Sequence, residues 1–290
     1  MAELERDPHT GYLTTGHEWN GIKELNSPIP WAVWIFIGVT HLFALIYWVL
    51  MPTFPLLTTY TKGLLHHDDR VEVQEAVQQA ESERSVWTRK ITDENYQQIL
   101  ADPALMQRVR QTGRTLFTDN CAACHGREAR GATRFPDLTT ESWLWGGTPE
   151  AVAETIRVGI NSPHPESRVS QMLAFGKDGM LQRDAIDNVV AYVRSLSGAT
   201  DVSKEAVAKG AVIFSENCAS CHGADAKGNA EVGAPNLTGG RWIYGSDPDT
   251  LYQTIWGGRR GYMPSWEGRL SAFDRKLLVL YLMDLRGRAK

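Results

Sequence analysis

A mainly α-helical chain, with one N-terminal transmembrane helix followed by two tandem copies of a small helical domain, is predicted by three features of the sequence. Trp31 to Met51 is a 21-residue stretch without Asp, Glu, Lys or Arg. All four cysteines sit in two pentapeptides, Cys121-Ala-Ala-Cys124-His125 and Cys218-Ala-Ser-Cys221-His222. The residues around these pentapeptides recur at near-constant spacing. A length of 290 residues accommodates about two domains with additional segments.

Residues 1–30 are polar and rather acidic. No basic segment runs into an apolar core and no small-residue cleavage site follows, so a cleaved signal peptide is not expected. Residues 31–51 would span about 31 Å as a helix, close to the thickness of a bilayer core. Trp31 and Trp34 lie near one end and Tyr47 and Trp48 near the other, as interfacial aromatics do. Pro28, Pro30 and Pro52 bracket the segment. His41 inside it reads either as a contact to a partner helix or as a ligand or proton relay.

Residues 52–103 form a connector. Val73, Val77 and Ala80 recur at helical spacing among charged residues, which predicts a solvated or partner-facing helix from about Val71 to Trp87. His66 and His67 read as exposed loop residues. Thr92 with Asp93 and Glu94, and Asp102 with Pro103, have the form of helix starts.

An internal repeat governs the remainder, as residues 104–199 and 200–290. Gly113, Phe117, Asn120, Cys121, Cys124, His125 and Gly126 match Gly210, Phe214, Asn217, Cys218, Cys221, His222 and Gly223 at an offset of 97. Pro136, Leu138, Trp143, Ile156 and Gly159 match Pro235, Leu237, Trp242, Ile255 and Gly258 at an offset of 99. Leu181, Tyr192 and Leu196 match Leu270, Tyr281 and Leu285 at an offset of 89. Gly113 with Tyr192, and Gly210 with Tyr281, read as close crossings of the first and last helices of each copy.

Cys-x-x-Cys-His is the attachment pattern of haem c. Two thiols three positions apart reach both vinyl groups of one haem, and the following histidine ligates the iron. A thioredoxin-like pair would not require the histidine. A four-cysteine zinc site would have to close over 97 residues and leave both histidines idle. The expected cofactors are therefore two covalently bound haem c groups, held by Cys121, Cys124 and His125 and by Cys218, Cys221 and His222.

Methionine is the usual sixth ligand in an electron-transfer cytochrome. Met263 lies 41 residues after His222 in a glycine-rich loop, and Met172 lies 47 residues after His125. Met180 and Met283 are the competitors. Which methionine serves which haem, and whether the halves exchange them, is open in the sequence. Pro136 and Pro235 stand where a carbonyl can accept from the ligating histidine. The net charge of −4 and the lack of a basic stripe give nucleic-acid binding no support.

Both copies resemble class I cytochrome c domains. The whole chain resembles the di-haem cytochrome c subunit of cbb3-type cytochrome c oxidases, through Thr14-Thr-Gly-His-Glu-Trp-Asn-Gly-Ile-Lys-Glu-Leu-Asn-Ser-Pro28, Tyr47-Trp-Val-Leu-Met-Pro52 and Trp143-Leu-Trp-Gly-Gly147. Met172-Leu173 departs from the Met-Pro of that family, which Met263-Pro264 keeps. The resemblance implies one-electron transfer from a donor cytochrome c toward a mono-haem subunit and a catalytic haem–copper subunit. It also implies a bacterial inner-membrane location, with lipid around the single helix, residues 1–30 cytoplasmic and the haem domains periplasmic. A free membrane-anchored shuttle and a di-haem dehydrogenase or peroxidase are the competing functions.

Overall fold

The computed structural model describes residues 5–239 and 242–288. Its backbone divides into two compact units, one ending at Glu83 and one beginning at Arg84.

The first unit opens with an antiparallel hairpin of β1 (Thr14–Trp19) and β2 (Ile22–Leu25). Composition gives no strand here; the signal is Asn20-Gly21, the pair a two-residue turn favours because both residues need positive φ. They adopt 50° and 83°. Helix α1 (Trp31–Leu50) follows Pro30 and has no buried residue. It is long and apolar enough to cross a membrane. Its last carbonyls are satisfied by the chain turning back: Leu64 N–H donates to Val49 O and Leu65 N–H to Leu50 O, both at 3.0 Å. Gly63 permits this, since its φ is 66° and a Cβ there would lie 2.3 Å from Leu50 O. Within α1, His41 Nδ1 lies 2.8 Å from Ile37 O of its own helix.

The connector helix α2 (Asp69–Asp93) extends beyond the expected Val71–Trp87 at both ends. Asp69 and Glu72 in its first turn complement the helix dipole. Thr92 belongs to the last turn of α2 and starts no helix; the start is Asn95, which forms a reciprocal capping box with Gln98 before α3 (Tyr96–Ala101). His66 is exposed as expected. His67 is half-buried and paired with Asp69 and Glu72.

The second unit continues with α4 (Pro103–Asn120), α5 (Ala122–His125), α6 (Pro149–Val158) and α7 (Arg183–Leu196), then α8 (Lys204–Asn217), α9 (Ala219–His222), α10 (Pro248–Gly257) and α11 (Ala272–Arg288). Asp102, Thr148 and Asp247 cap α4, α6 and α10, each followed by a proline whose missing N–H costs nothing at that position.

These helices bury two separate apolar cores. One gathers Val109 and Phe117 of α4, Val152 and Ile156 of α6, and Leu277 to Met283 of α11, with Ile91 and Ile99 from upstream. The other gathers Ile186, Val189 and Val193 of α7, Phe214 of α8, and Leu251 and Ile255 of α10. Each core thus takes its haem-motif helix from one sequence copy and its final helix from the other. The sequence boundaries at 104 and 200 mark the repeat; packing groups the helices differently.

The expected crossings are corrected accordingly. A Cβ on Gly113 would lie 2.8 Å from Tyr281, and one on Gly210 would lie 2.0 Å from Asn188 O and 2.8 Å from Tyr192. The cause is the short α7–α8 connection, which folds these consecutive helices into an antiparallel pair and leaves α4 to be covered by α11. Tyr281 packs on Phe117 with ring centroids 5.8 Å apart, and Tyr192 on Phe214 at 5.2 Å. Arg110 of α4 and Asp284 of α11 pair at 3.0 Å, with Asp284 buried.

Gly210→Ala should therefore cost about 1–3 kcal/mol, the range for overpacking a tight contact. Thermal unfolding of the full chain should show a midpoint several degrees lower. Gly257→Ala, where an added Cβ meets nothing within 4 Å, should leave it nearly unchanged.

Candidate haem-binding sites

Both motifs are built alike. Helix α4 ends where Cys121 N–H donates to Phe117 O at 2.8 Å, and α5 adds one turn in which His125 N–H donates to Cys121 O at 3.0 Å. Gly126 then stops the turn at φ 73°. Cys218, His222 and Gly223 repeat this, with His222 N–H to Cys218 O at 2.9 Å and Gly223 at φ 80°. Positions i, i+3 and i+4 of one turn share a face, so each pair of thiols and its histidine are presented together.

His125 Nδ1 donates to Pro136 O at 3.2 Å and His222 Nδ1 to Pro235 O at 3.1 Å. This fixes the tautomer and leaves Nε2 as the ligand atom. Burial lowers both imidazole pKa values, with the proline carbonyls opposing. Neutral imidazole is the form that binds iron. Burial also pushes the Cys121 and Cys218 thiols up to about 11, the opposite of the depressed pKa of a reactive redox pair.

Each histidine faces a cavity. The first is lined by Cys121, Cys124, His125, Trp145, Met263 and Trp266. The second is lined by Cys218, His222, Phe214, Trp242, Leu251 and Met172. The methionines arrive by exchange. Ile160 and Met263 donate to each other's carbonyls at 2.9 Å in both directions. Met172 and Arg259 do the same at 2.8 and 3.1 Å. Met263, from the second copy, therefore lines the cavity of His125 of the first, and Met172, which borders both cavities, lines that of His222.

Two helix-terminal glycines make room for these loops. Gly159 at φ 72° would place a Cβ 2.4 Å from Met263 O, and Gly258 at φ 67° would place one 2.5 Å from Met172 O. Of the competing methionines, Met180 is 50 % exposed and borders, with Met172, a further hollow beside Cys218, Cys221 and His222, whereas Met283 is buried in α11. Leu173, next to Met172, is 47 % exposed.

The residues present fit haem, a flat apolar ring bearing two carboxylates. The walls are aromatic and aliphatic, and the first cavity offers an unused donor. Trp145 is 9 % exposed and its Nε1 has no partner. Arg168 stacks on Trp145 at 4.9 Å from the ring centroid, and its buried Nε also lacks a partner. Unpaired buried donors of this kind point to an acceptor supplied by a ligand. In the second copy Tyr244 takes the place of Trp145, with Arg259 4.4 Å from its ring centroid.

Motif reading passes over Arg168, Tyr244 and Arg259. The offset of 99 that aligns Trp145 with Tyr244 and Ile160 with Arg259 is the signal that could have found the last two. The inserted segment 161–168 is tied to the Met263 loop, because His164 and Arg157 both bond Glu267, at 2.8 and 3.2 Å.

Residues 111–197 match the family model described as cytochrome c, and residues 205–282 match that of subunit III of cbb3-type cytochrome c oxidase. Fold and site thus define a c-type cytochrome with two cytochrome c domains behind an N-terminal apolar helix. Residues 11–58 match the N-terminal domain of cytochrome oxidase-cbb3, FixP. Over 285 residues, 98 % of both chains, the sequence is 46 % identical to the cbb3-type cytochrome c oxidase subunit FixP of Bradyrhizobium sp. (strain ORS 278). It is 42 % identical to the subunit CcoP of Azospirillum brasilense over 99 % of both chains, and 40 % identical to that of Cereibacter sphaeroides over 94 % of both. The chain belongs to the FixP/CcoP family of cbb3-type cytochrome c oxidase subunits.

Gly258→Ala should displace the Met172 loop, since the substitution combines a positive φ with a backbone clash. The ferric near-infrared band of a methionine-ligated haem should weaken in this variant while covalent haem content stays constant.

Proposed function

We propose that this chain is a membrane-anchored di-haem cytochrome that passes electrons from a donor cytochrome c toward the mono-haem and catalytic haem–copper subunits of a cbb3-type terminal oxidase. The observation that supports the reading is the pair of cavities, each lined by a cysteine and the histidine of one Cys-x-x-Cys-His turn and by a methionine. In this reading Cys121 and Cys124 hold one haem c as thioethers and Cys218 and Cys221 hold the second. His125 with Met263, and His222 with Met172, are the axial pairs.

Haem supplies reversible one-electron chemistry when bound. The chain's own residues determine its setting. Pro136 and Pro235 orient the histidines, methionine sulfur favours the ferrous state, and the apolar walls exclude water. Met172, Ile243, Tyr244 and Arg259 line both cavities, so a single layer of side chains separates them. That closeness favours transfer between the two haems within one chain. The apolar α1 serves as the anchor, with residues 1–30 on the cytoplasmic side and the cytochrome domains on the periplasmic side of the inner membrane, where haem c attachment is completed.

Purification of the tagged chain in mild detergent tests the assignment to the oxidase. A haem–copper subunit and a mono-haem cytochrome should co-purify, with oxygen uptake driven by reduced cytochrome c. Recovery of the chain alone, free of oxidase activity, would sink it. Ligand exchange is tested in a Cys218→Ala/Cys221→Ala chain, which should keep one covalent haem. Met263→Leu should abolish the near-infrared band of that remaining haem, and Met172→Leu should spare it.

A further inference from the structure

Arg259 occupies a place that its main chain does not require an arginine to fill. Its backbone pairs with Met172, and the repeat-related Ile160 makes the same two-bond pairing with Met263 through an aliphatic residue. The guanidinium must answer to something else.

It is half-buried and forms part of the wall of both cavities. Nε and Nη2 both donate to Thr254 Oγ1, at 3.1 and 2.7 Å, and the group lies over the Tyr244 ring at 4.4 Å. These contacts hold its orientation and leave its charge unneutralised. Among the described residues it has no carboxylate within ion-pair distance, whereas Arg110, Arg157, Arg194 and Arg288 each have one. A half-buried cation without a counter-ion is costly unless a ligand provides one. In the proposed reading each cavity takes a ring that carries two carboxylates.

We propose that Arg259 is a counter-ion shared by the two haems: its guanidinium takes carboxylate charge from both cavities and raises both reduction potentials together. The proposal rests on the reading that each cavity takes a haem c. A fixed positive charge favours the more negative member of a redox couple, here ferrous haem, and it does so more strongly where water is excluded. One residue in a common wall therefore acts on both irons, while Trp145 borders the first cavity alone.

The test is a redox titration of the full-length chain in detergent as wild type, Arg259→Gln, Arg259→Lys and Thr254→Val. Pyridine haemochrome and the near-infrared band are recorded on each sample. Arg259→Gln should keep two covalent haems and the band, and should shift both Fe(III)/Fe(II) equilibria toward ferric by about tenfold, which is 59 mV for one electron. Arg259→Lys, which keeps a displaced charge, should shift both by less. Thr254→Val should move both in the same direction, because it frees the guanidinium from its anchor.

A shift confined to one haem would overturn the shared role, as would two unmoved potentials. If Arg259→Gln does not accumulate, Arg259→Lys decides, and two unchanged potentials there overturn the proposal. Fewer than two haems in the wild-type chain would instead count against the di-haem reading itself.

Discussion

Two reciprocal main-chain pairings, Ile160 with Met263 and Met172 with Arg259, hold the haem-binding part of this protein in its arrangement. Each joins the end of a short helix in one sequence copy to the methionine loop of the other. The segments beyond the methionines then pack across the copies: α7 against α8 and α10, and α11 against α3, α4 and α6. Gly159 and Gly258 stand at these junctions because no side chain fits between the paired strands. Gly113 and Gly210 stand at the resulting helix crossings for the same reason.

The main-chain pairings recur between the copies, yet the side chains around them do not. Trp145 faces Tyr244 across the repeat, and Ile160 faces Arg259. Segment 161–168 has no counterpart in the second copy and brings Arg168 onto Trp145. Trp145, whose indole donor is unused, borders one cavity alone, while Tyr244 and the hydroxyl-anchored Arg259 border both. Two haems of one chemical kind would thus experience different fields, a means of separating potentials that leaves the ligands alone.

The sequence displays some levels of this structure more clearly than others. Cys-x-x-Cys-His is legible because its chemistry is local: one helical turn places all three groups. The apolar helix is legible because its signal is compositional. Asp102-Pro103 and the proline carbonyls at 136 and 235 are legible for the same local reason. The exchange is not, because a repeat states which residues are equivalent and says nothing about which copy supplies each partner. Gly113 would accept Tyr192 or Tyr281 equally well; the choice belongs to the short connection after Leu196. Arg259 stays hidden because its setting is made by two cavities that exist only after folding. Thr92 misleads as a helix start since Asn95, three residues on, caps better and has Gln98 to complete the box.

The pairing of α4 with α11 also sets a timetable. Contacts such as Arg110 with Asp284 bridge 174 residues of sequence. A chain made at roughly 5–20 residues per second finishes α4 on the order of ten seconds before α11 is complete. For that interval Phe117 and Val109 lack the leucines that will cover them. The first Cys-x-x-Cys-His turn meanwhile sits in a half-built wall, open from the side that Met263 later closes. The exchange that interlocks the finished molecule thereby leaves the first core without its final cover until the last stretch of chain is made.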